Sequence, residues 1–114
     1  MNDMIIKYVR NGKGHPVGCV IAKKIDATGD VYITGSLCRV KKEPFNKAQG
    51  LVLAETRAGV MATYGRPCPV ANSLGNELEI MTRRARRYFK DTVNFIKAPT
   101  KPPVIKSRKL ALVN

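Results

Sequence analysis

Five cations fall within eight residues, at Arg83, Arg84, Arg86, Arg87 and Lys90. This is the strongest chemical signal in the chain. The planar guanidinium fork of arginine donates two parallel hydrogen bonds to one phosphate, where lysine offers only a point charge. At 100° per residue, Arg83, Arg86, Arg87 and Lys90 share an arc opposite Leu78, Met81, Ala85, Tyr88 and Phe89, with Arg84 at its edge. That pattern describes a helix with one apolar and one cationic face. Like charges at the i, i+3 and i, i+4 spacings repel, so an anionic partner explains the run better than solubility does. The charge continues through Lys101, Lys106, Arg108 and Lys109. From Arg83 to Lys109 there are ten bases and one acid, Asp91. A second patch, Lys41 and Lys42 with Arg39, leaves the third predicted strand. There, protection of a sheet edge by lysines weighs equally with binding.

Other chemistries lack their parts. His15 is the only histidine and sits between Gly14 and Pro16 in a turn. Metal-dependent hydrolysis and histidine-assisted nucleophilic catalysis need more ligands or partners. Cys19, Cys38 and Cys68 match no zinc or redox spacing. The first two read as small buried hydrophobes, the third as a loop residue between two prolines. Gly12-Lys13-Gly14 lacks the further glycines and the helix of a phosphate-binding loop. The sequence therefore reads as a non-enzyme that needs no metal or cofactor.

Composition agrees with a polyanion binder. The 114 residues carry 21 Lys and Arg against 8 Asp and Glu, a formal net charge of +13 and a pI of about 10.1. Hydrophobic residues at 44% suit a single globular domain. No apolar run approaches the roughly 18 residues of a membrane span. The first residues are too short an apolar stretch for a signal peptide, and free cysteines fit a reducing compartment, so a cytoplasmic setting is expected.

The elements that must position these groups begin with three strands. Residues 4–10, 17–25 and 31–37 are rich in β-branched types. They are separated by Asn11-Gly12 and by the Asp26–Asp30 turn, and form an antiparallel meander. A helix follows, with Asn46 as its N-cap and Leu51, Ala54, Ala58, Met61 and Ala62 on one face. Gly50 and Gly59 each weaken it by about 1 kcal/mol relative to alanine, and Tyr64-Gly65 ends it. The basic helix is expected from about Leu74 to Val93, capped by Ser73. Pro99, Pro102 and Pro103 then favour an extended tail. The expected architecture is α+β: a three-stranded meander packed on one helix, then the basic helix, with a domain over 1–96 and a basic Pro-rich tail over 97–114. One face of the sheet is left open for a ligand.

In element order alone, this plan resembles the DNA-binding domains of plant ethylene-response factors and the arm-binding domains of tyrosine integrases. Both place a three-stranded sheet in the major groove, but none of their binding residues has a counterpart here. Over residues 17–58, the run Gly35-Ser36-Leu37-Cys38, Phe45-Asn46-Lys47, then Gly50, Ala54, Arg57 and Ala58, resembles small uncharacterised proteins of tailed bacteriophages. That resemblance implies a phage origin and a host-cytoplasm setting, and no activity.

The expected function is largely sequence-neutral nucleic-acid binding through phosphates, with duplex contact favoured over single strands because aromatics are few; duplex DNA is the favoured partner and RNA stays open. Two alternatives stand beside it. The basic helix would also fit an acidic surface on a host protein, and the apolar end Leu110–Val113 would suit a structural component of a larger assembly. The sequence leaves oligomeric state open.

Overall fold

Two tight turns fold the first third of the chain onto itself. Asn11 Oδ1 accepts the backbone N–H groups of Lys13 (2.9 Å) and His15 (3.0 Å), closing the first turn. The second turn spans Asp26–Gly29. The computed structural model describes residues 3–38 and 46–101. Strands β1 (Met4–Arg10), β2 (Pro16–Ile25) and β3 (Asp30–Leu37) pair antiparallel in sequence order. After them come helix α1 (Lys47–Tyr64), a short 3-10 turn (Asn72–Leu74), helix α2 (Gly75–Tyr88) and a fourth strand, β4 (Phe95–Lys97). The fold is mixed α+β, and the meander and both helices follow in the predicted order.

Helix α1 is delimited by local chemistry. Asn46 Oδ1 accepts the Gln49 N–H at 3.1 Å, which satisfies one of the four orphan donors of the first turn. At the other end, Gly65 adopts φ 62°, ψ 21° and donates its N–H to the Met61 carbonyl at 3.0 Å. That left-handed conformation favours glycine.

The two helices lie on opposite faces of the sheet. Side chains alternate along a strand, and cross-strand partners point the same way. Lys23 of β2 pairs with Glu55 of α1 at 2.9 Å. Lys7 of β1 lies opposite Val20 and reaches Glu77 of α2 at 2.9 Å. Val20 and Lys23 are three apart and so face opposite ways. Cys19, Ile21, Tyr32, Thr34 and Ser36 therefore sit beneath α1, and Val20, Ala22, Val31 and Ile33 beneath α2; all are buried. Coverage on both sides is why β2 and β3 read as unbroken apolar runs. No open sheet face remains for a ligand, contrary to the expectation from element order.

Three further features differ from the sequence reading. Helix α2 ends at Tyr88 and does not continue to Val93, because Phe89 leaves helical geometry (φ −101°, ψ 72°) while staying buried at 8% exposure. Ser73 makes no capping bond and lies inside the 3-10 turn. The chain after α2 returns to the sheet. There β4 pairs parallel to β3, with Val31 opposite Phe95 and Ile33 opposite Lys97. Ala98 is buried, and the Lys101 N–H donates to the Val70 carbonyl at 2.8 Å, so the chain stays with the body of the protein through Lys101. The short Phe-Ile-Lys run gives a strand only because the exposed edge of β3 is there to receive it.

Candidate functional site

The two halves of α2 have opposite electrostatic fates. Its acids lie in the first half and are engaged by lysines from the two edge strands. The Lys7 ammonium lies 2.9 Å from Glu77 Oε1, an ion pair without hydrogen-bond alignment, and Lys97 of β4 pairs with Glu79. The arginines follow in the second half. Leu78, Met81 and Ala85 are buried against the sheet, so Arg83 and Arg87, roughly antipodal to them, project away from it. Arg86 lies on the flank toward β4, its guanidinium 5.8 Å from the centre of the Phe95 ring, within cation–π range. Arg84 lies on the flank toward β1. All four are exposed. Among the described residues no carboxylate lies within ion-pair distance of any of them.

The fold tolerates this concentration for an electrostatic reason. Arg86 and Arg87 occupy the last turn, where the partial negative charge of the free carbonyls favours cations by about 0.3–1 kcal/mol each. That offsets like-charge repulsion of about 0.2–0.5 kcal/mol per neighbouring pair. Arg83 and Arg87 stand one turn apart, about 6 Å along the axis, a spacing comparable with that of successive phosphates on a strand.

The remaining predicted site residues divide into three groups. Lys90 lies past the helix end, in a turn. It lines a cavity of about 430 Å³ with Lys24 and the carboxylates of Asp3, Asp26 and Asp91, so its surroundings are of mixed sign. Lys101 is exposed but stands at the opposite end of α2: its neighbour Thr100 packs near Gly75, the first residue of the helix. Twelve residues at 1.5 Å each put it about 18 Å along the axis from Arg87. Lys41, Lys42, Lys106, Arg108 and Lys109 lie outside the described residues, as does Arg39.

Sequence reasoning missed the groups that flank Arg86. Asp30, Val93, Asn94, Phe95 and Ile96 line a second cavity of about 430 Å³ with it, and the Asn94 amide donates to Asp30 Oδ1 at 3.3 Å. The β-prone pair Phe95-Ile96 is the only local signal for the strand that brings them there. The other sequence candidates are structural. His15 is exposed in the first turn. Cys19 is fully buried, and burial pushes its thiol pKa up, against smaller opposing effects of Ser36 and Arg57. Ser36 Oγ donates to the Gly50 carbonyl at 2.9 Å, and Arg57 donates to the Gly35 carbonyl at 2.5 Å; both tie α1 to β3. Among the described residues, no three His, Cys, Asp or Glu side chains converge as metal ligands, and no helix is long and apolar enough to cross a membrane. No protein-family model, curated protein or solved structure matches the chain.

Proposed function

We propose that this chain is a non-enzymatic nucleic-acid-binding protein whose α2 arginines engage backbone phosphates. One observation carries the reading. Arg83, Arg84, Arg86 and Arg87 are exposed with no described carboxylate within ion-pair distance, while both acids of the same helix are held by lysines from β1 and β4. A face serving only solubility would intersperse both signs. Contacts made to phosphate are largely sequence-neutral, and duplex DNA is favoured over single strands because exposed aromatic stacking groups are few. The resemblance to tailed-phage proteins supports a host-cytoplasm setting.

The test is a titration of the full chain with duplex DNA, single strands and duplex RNA over a range of salt. Four phosphate contacts give a slope of about −3.6 in log affinity against log salt on B-DNA. A flat salt response on all three ligands refutes the proposal. Retention of one stoichiometric protein partner from nuclease-treated lysate, together with that flat response, would favour the acidic-surface alternative.

A further inference from the structure

We infer that the cleft between the end of α2 and β4 holds an unpaired guanine base at a strand end, next to the phosphates on the arginine face. The inference rests on the phosphate-binding reading of α2 and adds a base site to it. The cleft is the cavity of about 430 Å³ lined by Asp30, Arg86, Val93, Asn94, Phe95 and Ile96, a volume within the range of about 300–1,000 Å³ typical of small-ligand sites.

Asp30 is what phosphate binding alone leaves unexplained. A carboxylate beside Arg86 repels phosphate, and among the described residues no cation lies within ion-pair distance of it. Its one described side-chain bond is accepted from the Asn94 amide at 3.3 Å. That leaves Asp30 Oδ2 and Asn94 Oδ1 as two acceptors without a described partner. Both stand on paired backbone, because Asp30 opens β3 and the Asn94 carbonyl accepts the Val31 N–H at 3.1 Å. Two neighbouring acceptors call for a ligand edge with two neighbouring donors. Of the bases, guanine alone carries them on its Watson–Crick edge, as N1–H and N2–H.

The remaining walls suit the flat of a base. Val93 is 89% exposed, the most exposed large hydrophobic of the described residues, and Ile96 is 36% exposed. The Arg86 guanidinium lies 5.8 Å from the centre of the Phe95 ring. Unpaired bases stack on aromatic rings and on guanidinium planes. Arg86 also neighbours Arg83 across one turn of α2, so it joins the cleft to the phosphate face. Pairing hides the Watson–Crick edge within a duplex, and extruding a paired base costs a few kcal/mol. An unpaired nucleotide at a strand end avoids that cost.

The experiment is fluorescence anisotropy of the full chain with a blunt DNA duplex and with four duplexes that each add one unpaired terminal nucleotide: guanine, adenine, cytosine or thymine. The guanine overhang should bind about tenfold more tightly than the other three, which carry the same phosphates. Asp30→Asn should bring that ratio to within about twofold of unity, and Asn94→Ala should lower it at least about threefold. Asp91→Asn, which changes an acid of the other cavity, should leave it intact. Guanosine monophosphate should bind only in the millimolar range, because a lone phosphate meets fewer arginines; binding below about 10 µM would assign the cleft to a free nucleotide and overturn the strand-end source. Equal binding of all four overhangs, with the salt slope on the blunt duplex retained, overturns the base site and leaves the phosphate face standing. A flat salt response on the blunt duplex refutes the phosphate face itself. A guanine preference unchanged by Asp30→Asn and Asn94→Ala, in variants of unchanged melting temperature, also overturns the inference.

Discussion

Neutralising Arg83 and Arg87 together gives the sharpest test of the binding face. Both point away from the sheet, make no described ion pair and lie beyond the buried stripe of Leu78, Met81 and Ala85. Arg83→Gln/Arg87→Gln therefore removes two cations and no packing. If each releases one counterion on a duplex, the salt slope should change from about −3.6 to about −1.8. Raising salt from 50 to 200 mM would then weaken the parent about 150-fold and the variant about 12-fold. At 150 mM the variant should bind about 30-fold more weakly, about 2 kcal/mol. Stability should move by less than about 0.5 kcal/mol, because the lost dipole interaction of Arg87 and the relieved i, i+4 repulsion have opposite signs. The assay is fluorescence anisotropy on a short duplex at four salt concentrations, with a urea melt of each protein. An unchanged slope in a variant of unchanged stability would refute the assignment of phosphate contacts to these two side chains.

Other perturbations probe the rest of the molecule. Lys101→Gln, about 18 Å along the α2 axis from Arg87, should change the salt slope less than Arg87→Gln in the same titration; an equal change would mean the bound polyanion runs the length of the helix. Gly35→Ala places a Cβ against the Cys19 carbonyl oxygen and Val20 and should destabilise by about 3 kcal/mol in urea denaturation; a loss below about 1 kcal/mol would contradict the tight β2–β3 approach. Thr34 is fully buried, and its Oγ1 has no hydrogen-bond partner among the described residues, so Thr34→Val should stabilise by about 1 kcal/mol; destabilisation would point to an unseen partner. For Cys19, burial raises the thiol pKa above its ordinary value of 9.0. The unfolded chain ionises first, so stability holds below about pH 9 and falls above it, by at most about 1.4 kcal/mol per pH unit until the folded thiol ionises. Cys19→Ala should flatten that alkaline decline in melts at pH 8–10.5, and an unchanged decline would assign it to other groups.

Local chemistry was sufficient for the meander, for α1 and for the polarity of α2. Asn11-Gly12 and Gly29 mark turns, Asn46 caps and Gly65 stops because each acts within a few residues of itself. The 3.6-residue spacing of Leu78, Met81, Ala85 and Phe89 fixes which side of α2 is buried, and so which side carries Arg83 and Arg87. These are decisions of backbone geometry and side-chain type, and the sequence by itself settles them. Tertiary structure decided the rest. Whether α2 shares a face with α1 or closes the opposite one depends on the path of the connection, which leaves no periodic trace; placement on the far face covers Val20, Ala22, Val31 and Ile33 and takes away the open sheet surface. The short run Phe95–Lys97 becomes a strand because β3 presents an unpaired edge to it. Glu77 and Glu79 find their lysines on β1 and β4, at separations of 70 and 18 residues. Only that long-range pairing leaves the arginine half of the helix without described carboxylate partners, because ion pairs are decided by distance in space and not along the chain.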